Sequence, residues 1–234
     1  MTRTVVITGG TGFLGTAITK AFLQQGCNVA IPYIHDHEVE RFEKNIGEDV
    51  ARVTLIRTSV TVQHEVASFF ERVLAQLGQI DVLANIAGGF VGGIPVAEMS
   101  EENWDHLLNM NLKSAFLCCR AVLPHMLGRK YGKIVNVSAR AGLSGIPELS
   151  AYSVSKGGVR ILTESIAEEV KTLGINVNAI MPSIIDTPAN RKAMPDADHS
   201  KWVKPEAIAK VVLFLTSDDA AIINGAAIPV YGTV

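Results

Sequence analysis

The sequence predicts a doubly wound α/β fold with a mostly parallel sheet of seven strands. Short runs rich in Val and Ile alternate with longer segments of helical periodicity along the whole chain, which is the pattern of consecutive βαβ units. Some of the short runs, such as Ile134 to Val137, are apolar at nearly every position. Strands of this composition are typical of a parallel sheet whose two faces are both covered by helices.

The predicted strands and helices follow each other in a regular order. Strands are expected at Thr4–Thr8, Asn28–Tyr33, Arg52–Arg57, Ile80–Asn85, Lys133–Ser138, Ile175–Met181 and Ala227–Val230. Helices are expected at Phe13–Gln25, Glu38–Ile46, Val62–Leu77, Glu101–Leu127, Ala151–Leu173 and Glu206–Thr216, with Pro205 placed to begin the last one. The stretch from Pro182 to Lys204 is expected to be an irregular, functional loop that is placed where it could close over a bound substrate, because long loops beside a parallel sheet are usually functional; whether it closes is left open.

Length and composition favour one domain. Of the 234 residues, 48% are hydrophobic and 19% are charged, which is enough apolar surface for a full core and excludes intrinsic disorder. No linker rich in Pro or Ser divides the chain, so we expect residues 1–234 to form a single domain. The formal net charge of -2, without a basic block, argues against a nucleic acid or an anionic membrane as the main partner.

Cysteine and histidine usage points to a reducing compartment and to no metal site. Cys27, Cys118 and Cys119 are odd in number and lack metal-ligand spacing, so they are interpreted as free core thiols. Met1 to Thr8 leads directly into a strand without the features of a signal peptide. No apolar run reaches the ~18 residues of a membrane span. We therefore expect a cytoplasmic protein.

A glycine-rich turn follows the first predicted strand and opens the first predicted helix. It reads Thr8-Gly9-Gly10-Thr11-Gly12-Phe13-Leu14-Gly15, and Gly10-x-Gly12-x-x-Gly15 has the spacing of a dinucleotide-binding turn in a Rossmann-type fold. Small residues let the backbone approach a pyrophosphate, whose charge is favoured by the free N–H groups and the dipole of the helix. The alternative is a plain turn, but the position after the first strand favours a cofactor site.

The residues at the end of the second predicted strand leave the choice between NAD and NADP open. A carboxylate at this place binds the ribose hydroxyl of NAD, and a basic residue favours the 2′-phosphate of NADP. Here Tyr33 and Ile34 come first, followed by His35, Asp36 and His37. Either Asp36 binds the ribose, or His35 binds a phosphate, or these are ordinary loop residues.

Tyr152 and Lys156 are four residues apart at the start of a predicted helix, which places both on one helical face. An unperturbed phenol titrates near pH 10, so a neighbouring ammonium is expected to lower the pKa of Tyr152 and make it an acid or base. Ser138 ends the preceding strand and is placed to hold a substrate carbonyl, although a serine there can also serve as a turn cap. All three lie at the same edge of the sheet as the glycine-rich turn.

These motifs together resemble the short-chain dehydrogenase/reductase family over nearly the whole chain. Asn85-Ile86-Ala87-Gly88 is similar to the N-x-A-G segment of the family, and Pro182 to Thr187 is similar to its P-G-x-x-x-T segment, with Ser183 in place of the glycine. The resemblance implies hydride transfer between NAD or NADP and a small carbonyl or alcohol, and a homodimer or homotetramer formed through the two long helices. It implies Asn111, Ser138, Tyr152 and Lys156 as catalytic residues. It implies cofactor binding by Thr8, Gly9, Gly10, Thr11, Gly12, Phe13, Leu14, Gly15, Tyr33, Asn85, Ala87, Gly88, Tyr152, Lys156, Pro182, Ile185 and Thr187.

Three departures from the family pattern are visible in the sequence. The turn has the TGxxGxxG spacing of the extended, epimerase-like branch, and Phe13 stands where the smaller enzymes have a glycine, but the chain has no length for the added substrate domain of that branch. Ser59 stands where the family often has an aspartate that contacts adenine. The segment from Asp186 to Pro195 resembles part of dihydropteridine reductases, which extends the candidate substrates to quinonoid pterins. A dinucleotide-binding regulatory protein without turnover is the alternative function.

Overall fold

A computed structural model describes residues 2–233, which contain a sheet of seven parallel strands. The strands run in the order β3-β2-β1-β4-β5-β6-β7, so the predicted doubly wound fold is confirmed. Their bounds are Thr4–Thr8 (β1), Asn28–Tyr33 (β2), Val53–Arg57 (β3), Val82–Asn85 (β4), Gly132–Val137 (β5), Ile175–Pro182 (β6) and Ala227–Val230 (β7).

Helices cover both faces of this sheet. Their bounds are Phe13–Gln24 (α1), Asp36–Ile46 (α2), Gln63–Leu77 (α3), Glu101–Leu107 (α4), Ser114–Arg129 (α5), Ser150–Val170 (α6), Pro188–Ala193 (α7) and Pro205–Leu215 (α8). No helix within residues 2–233 is long and apolar enough to cross a membrane.

The core consists of two layers, one on each face of the sheet. Strand β1 shows how they separate, because successive side chains of a strand point to opposite faces. Val6 packs with apolar side chains of α3, α5 and α6, whereas Val5 and Ile7 pack with those of α1, α2 and α8. Cys118 and Cys119 are buried free thiols in the first layer. The apolar composition of the strands therefore reflects burial on both sides.

Two predicted segments differ from the structure. The helix predicted at Glu101–Leu127 is interrupted by a π-helical turn, Leu108–Lys113, between α4 and α5. The stretch predicted to be irregular contains α7, whose first turn is capped by the Thr187 hydroxyl accepting from the N–H of Asn190 at 3.2 Å. A bidentate ion pair between Asp186 and Arg191 links α7 to the segment that directly precedes it.

The strand order places a crevice at the carboxyl ends of the central strands. β1 pairs with β2 on one side and with β4 on the other, so consecutive crossovers leave this strand in opposite directions. In open parallel sheets such a switch point forms a crevice at the carboxyl ends of the strands, where ligands bind. Thr8 at the end of β1 pairs in register with Asn85 at the end of β4. The two predicted cofactor motifs therefore begin side by side.

Candidate active site

A cleft of about 520 Å³ lies at this edge of the sheet. It extends from the glycine-rich turn and the end of β2, past the end of β4, to the start of α6 and the segment after β6. Most of the sequence-predicted residues line it, namely Gly9, Thr11, Gly12, Phe13, Leu14, Gly15, Tyr33, Ala87, Gly88, Ser138, Tyr152, Lys156, Pro182, Ile185 and Thr187. The fold thus brings residues from distant parts of the sequence to one site.

The glycine-rich turn fits the pyrophosphate of a dinucleotide. Gly12 is the N-cap of α1, and no side chain caps the N–H groups of the first turn, which leaves them to bind an anion. Gly9 has a φ of +65°, and a Cβ there would lie 2.9 Å from the backbone of Ala87. A Cβ at Gly15 would overlap the carbonyl oxygen of Gly9. Only residues without side chains therefore allow this turn to lie so close to the strand and to a ligand.

Three of the predicted cofactor residues lie behind the cleft and hold its wall in place. The Thr8 hydroxyl accepts from the N–H groups of Ile86 and Ala87, both at 3.1 Å. The Asn85 side chain donates to Asn136 at 2.8 Å, and Gly10 leaves room for the side chain of Ile31. These residues therefore pack behind the cleft and do not line it.

The ribose end of the cleft contains a carboxylate that the sequence analysis did not select. Glu38 lines the cleft together with Tyr33 and His35, and its Oε2 accepts from the Thr11 hydroxyl at 3.0 Å. Asp36 does not line the cleft, and its exposed carboxylate pairs with Arg57 at 3.4 Å. Glu38 lies inside α2, beyond the strand end to which the sequence rule applies. Its distance from the strand end is why the sequence rule did not select it.

The catalytic candidates converge at the other end of the cleft. Ser138 directly follows β5, and its Oγ donates to the carbonyl oxygen of Lys156 at 2.7 Å. The Nζ of Lys156 donates to the carbonyl oxygen of Val137 at 2.9 Å. Tyr152 lies one helical turn before Lys156 on α6, with its ring in edge-to-face contact with the ring of Phe90. The end of β5 and the start of α6 are therefore linked by two side-chain bonds to backbone oxygens.

Burial determines the direction in which the pKa values of Tyr152 and Lys156 are shifted. It raises the pKa of Tyr152 to about 12 and lowers the pKa of Lys156 to about 8, because both charged forms lose solvation. The expectation that the ammonium lowers the pKa of Tyr152 is therefore wrong for the protein in this structure. At neutral pH the phenol keeps its proton.

Asn111 joins the π-helical turn to the cleft without lining it. Its side chain accepts from the N–H of Gly89 at 2.9 Å, and donates to the carbonyl oxygen of Gly89 at 3.1 Å and to the hydroxyl of Ser155 at 3.0 Å. π-helical turns are frequent at functional sites. Here the turn places one amide where it fixes the segment after β4 against α6. A Cβ at Gly88 would lie 2.8 Å from the Asn111 Oδ1 and 3.1 Å from the Lys156 Nζ, so a side chain there would displace one or both of these groups.

The segment after β6 closes the last side of the cleft. Pro182, Ile185 and Thr187 line it, and Asn190 of α7 lines it as well. The Asn190 amide donates to the carbonyl oxygen of Ile185 at 2.8 Å, so α7 and the segment form one wall. Phe90 and Met110 also line the cleft, although neither belongs to a motif that the sequence analysis identified. Phe90 had a signal in the sequence, since it lies between the glycine pairs Gly88-Gly89 and Gly92-Gly93.

Comparison with known proteins agrees with this arrangement. The family model "short chain dehydrogenase" matches residues 3–198. The chain belongs to the short-chain dehydrogenase/reductase family. The enzyme is therefore an NAD(P)-dependent oxidoreductase, and the predicted resemblance is confirmed.

Relatives of the dehydrogenase match it over nearly its whole length. The 3-oxoacyl-[acyl-carrier-protein] reductase FabG of Thermotoga maritima is 33% identical over 238 residues, covering 98% of this chain and 96% of the relative. The 2-(R)-hydroxypropyl-CoM dehydrogenase of Xanthobacter autotrophicus is 33% identical over 250 residues, covering 99% of this chain and 98% of the relative. Both relatives are named for carbonyl or alcohol chemistry.

Solved structures of short-chain dehydrogenases superpose closely on this one. ElxO with NADP bound has a TM-score of 0.93 at 26% identity, with 99% of this chain and 98% of that chain covered. NAD⁺-bound xylitol dehydrogenase has a TM-score of 0.90 at 26% identity, with 98% of each chain covered. The cofactor class, NAD or NADP, is thus shared by structural neighbours, and both forms occur among them.

Proposed function

We propose that the enzyme reduces the carbonyl group of a small molecule, with Tyr152 as the general acid. The observation that carries this proposal is the convergence of Tyr152, Ser138 and Lys156 beside the glycine-rich turn in one cleft. When bound, the reduced nicotinamide supplies the hydride that the carbonyl carbon accepts. Tyr152 gives its hydroxyl proton to the carbonyl oxygen, so that one hydride and one proton complete the alcohol.

The protonation of Tyr152 supports the direction of reduction. A phenol whose pKa is raised to about 12 is protonated at neutral pH, as a proton donor must be. The developing alkoxide is a stronger base than the phenolate, so the proton transfer is downhill. Oxidation of an alcohol would instead start from the phenolate, which burial disfavours.

Ser138 and Lys156 assist by orienting and stabilising. The single proton of the Ser138 hydroxyl is donated to the carbonyl oxygen of Lys156, so the hydroxyl must rotate to donate to a substrate oxygen. The buried Nζ of Lys156 is held at the cleft wall by Val137, where it is placed to bind the nicotinamide ribose. Asn111 acts as a positioning residue through Gly89.

The substitution Tyr152→Phe tests the proposal. We expect turnover to fall by about 10² to 10⁴, the usual contribution of general acid catalysis, while the affinity for NADH or NADPH stays within about twofold. Absorbance of the reduced nicotinamide gives turnover with a panel of ketones, aldehydes and quinonoid pterins, and its fluorescence gives binding. A variant that keeps most of its activity would refute the role of Tyr152. Wild-type protein that binds cofactor and turns over none of the panel would favour the regulatory alternative.

We also propose that the enzyme assembles as a homodimer through α5 and α6. Phe116 on α5 and Val154 and Ile161 on α6 are large, exposed apolar side chains, and both helices pack against the same face of the sheet. Apolar side chains grouped in this way mark interaction surfaces. On α6, Val154 and Ile161 are two turns apart and therefore share one face of the helix.

A further inference from the structure

Phe90 is an exposed aromatic residue at the catalytic end of the cleft. Its side chain is 64% exposed, and its ring lies edge-to-face on the ring of Tyr152, with the centroids 4.9 Å apart. An aromatic side chain of this exposure leaves most of its apolar surface in water, which costs free energy unless a ligand covers it. The exposed ring lies directly beside the proposed proton donor.

The backbone around Phe90 is held on both sides. Before it, Gly89 is bonded twice by the Asn111 side chain. After it, the N–H groups of Gly93 and Ile94 both donate to the carbonyl oxygen of Glu148, at 3.1 and 3.2 Å. A ring mounted on a fixed segment loses little conformational freedom when a ligand covers it, so Phe90 is preorganised for binding.

Gly92 makes room for the tip of the Phe90 ring to pack against its own segment. A Cβ at Gly92 would be 2.7 Å from the Phe90 ring and would overlap the side chain of Leu149. The side chains of Phe90 and Leu149 therefore both pack against the Cα of Gly92. Leu143 and Ile146, from the loop that carries Glu148, are also exposed apolar residues. The loop bonded to the Phe90 segment thus carries exposed apolar side chains, with Glu148 as the one charged residue between Leu143 and Leu149.

The charges along the cleft indicate what kind of molecule this end accepts. Among the described residues that line it, the side chains that carry charge or titrate near neutral pH are His35 and Glu38, at the ribose end, and Lys156. The ammonium of Lys156 is directed to the carbonyl oxygen of Val137. Around Tyr152 and Phe90 the lining therefore contains no further cation to pair with a carboxylate or phosphate of a substrate.

We propose that Phe90 is a specificity-determining residue that stacks on the substrate, and that the enzyme prefers uncharged carbonyl compounds with a flat aromatic or conjugated ring next to the carbonyl group. This inference rests on the proposed function, because it takes Tyr152 as the point at which the carbonyl oxygen binds. Aromatic rings pair with centroids 4.5 to 7 Å apart, so a flat ring on the free face of Phe90 keeps its carbonyl group near the Tyr152 hydroxyl.

The test compares two ketones that differ in the flatness of the ring. Acetophenone and cyclohexyl methyl ketone have the same carbon skeleton, and kcat/KM is measured for both with saturating reduced cofactor. We expect the wild type to prefer acetophenone. Phe90→Leu should lower kcat/KM for acetophenone by roughly three- to tenfold, the worth of an aromatic pair, and change that for cyclohexyl methyl ketone by less than about twofold. Phe90→Trp should preserve the preference.

Controls separate this inference from the proposed function. Phe214→Leu, at another exposed phenylalanine on α8, should leave kcat/KM unchanged for both ketones. 4-Acetylbenzoate, which adds a carboxylate to the flat ring, should be at least about tenfold poorer than acetophenone. Equal losses for both ketones in Phe90→Leu, a wild type that prefers the cyclohexyl ketone, or a wild type that reduces neither would overturn the stacking role. Activity retained in Tyr152→Phe would instead overturn the role of Tyr152 as proton donor. The ratio of kcat/KM for acetophenone to that for cyclohexyl methyl ketone would still test the stacking role of Phe90.

Discussion

The buried ammonium of Lys156 has a cost for the folded protein. Burial lowers its pKa to about 8, so between about pH 8 and pH 10 the unfolded chain binds more protons at this position than the folded protein does. The free energy of unfolding therefore gains a contribution that rises with pH across this window, and the full penalty is present below pH 8. A residue that the proposed mechanism requires therefore opposes stability at neutral pH.

The substitution Lys156→Met should remove both the proposed contribution of Lys156 to turnover and the pH-dependent penalty of burying its ammonium. We expect a loss of turnover of at least about 10²-fold and weaker cofactor binding. We also expect the free energy of unfolding of the wild type, relative to the variant, to rise by about 2 to 3 kcal/mol from pH 7.5 to pH 10. Urea unfolding at three pH values measures this difference. Lys171→Met, at an exposed lysine just after α6, is the control and should follow the wild type. Parallel pH curves for Lys156→Met and wild type would contradict the electrostatic argument.

At the residue scale the sequence indicated which side chains share the cleft but not what surrounds them. Tyr152 and Lys156 were predicted because a spacing of four within one helix fixes their relative position. Glu38 and Phe90 were not predicted, because their place in the cleft depends on the packing of α2 and on the bonds that hold Gly89. The direction of the shift in the pKa of Tyr152 was missed for the same reason, since it depends on how completely the fold buries the phenol.

At the scale of elements, the glycine-rich turn and α1 behave as one unit. Gly15 is a helical residue whose missing Cβ lets the first turn of α1 pack on Gly9 and Gly10. Close approach of this kind cannot be relieved by a rotamer change, because the neighbouring atoms belong to the backbone. The pyrophosphate site and the packing of α1 on β1 therefore depend on the same glycine.

Replacing Gly15 with Ala should damage stability and binding together. We expect a loss of about 1 to 3 kcal/mol in the free energy of unfolding, and at least a tenfold weaker affinity for NADH or NADPH. Thermal unfolding and fluorescence titration measure the two. Gly128→Ala in α5 is the matched control, since nothing lies within 4 Å of the added Cβ. That control should leave stability unchanged or raise it by up to about 1 kcal/mol. Similar behaviour of the two variants would contradict the packing argument.

Most elements were predicted from periodicity, and the exceptions have physical causes. The π-helical turn was missed because apolar periodicity does not register one extra residue per turn, and because the bonds from Asn111 to Gly89 are tertiary. Helix α7 was missed because six residues are too few to show a period. Thr187 followed by Pro188 is nevertheless the signature of an N-cap and first helical residue, and it offered the one local signal for this helix.

At the scale of the whole molecule, the exposed apolar faces of α5 and α6 lead to a test of assembly. We expect wild-type protein to sediment with the mass of at least two chains. Ile161→Glu places a charge in the proposed interface and should shift the protein to a monomer, because burying an unpaired carboxylate is costly. Leu173→Glu, at an exposed leucine beyond the end of α6, is the control and should keep the wild-type mass. A wild-type monomer, or an oligomer that Ile161→Glu leaves intact, would contradict the interface.

The cleft has a consequence for how the protein responds to its ligands. Its lining residues span the sequence from Gly9 to Asn190. Many of them lie at the ends of strands at the centre of the sheet. A partly folded chain therefore does not form the cleft. Cofactor binding is therefore coupled to folding of nearly the whole chain. By mass action, cofactor at 100 times its Kd should add about 2.7 kcal/mol to the free energy of unfolding. In a cell, the supply of nicotinamide dinucleotide would then govern how long each copy of the enzyme survives proteolysis.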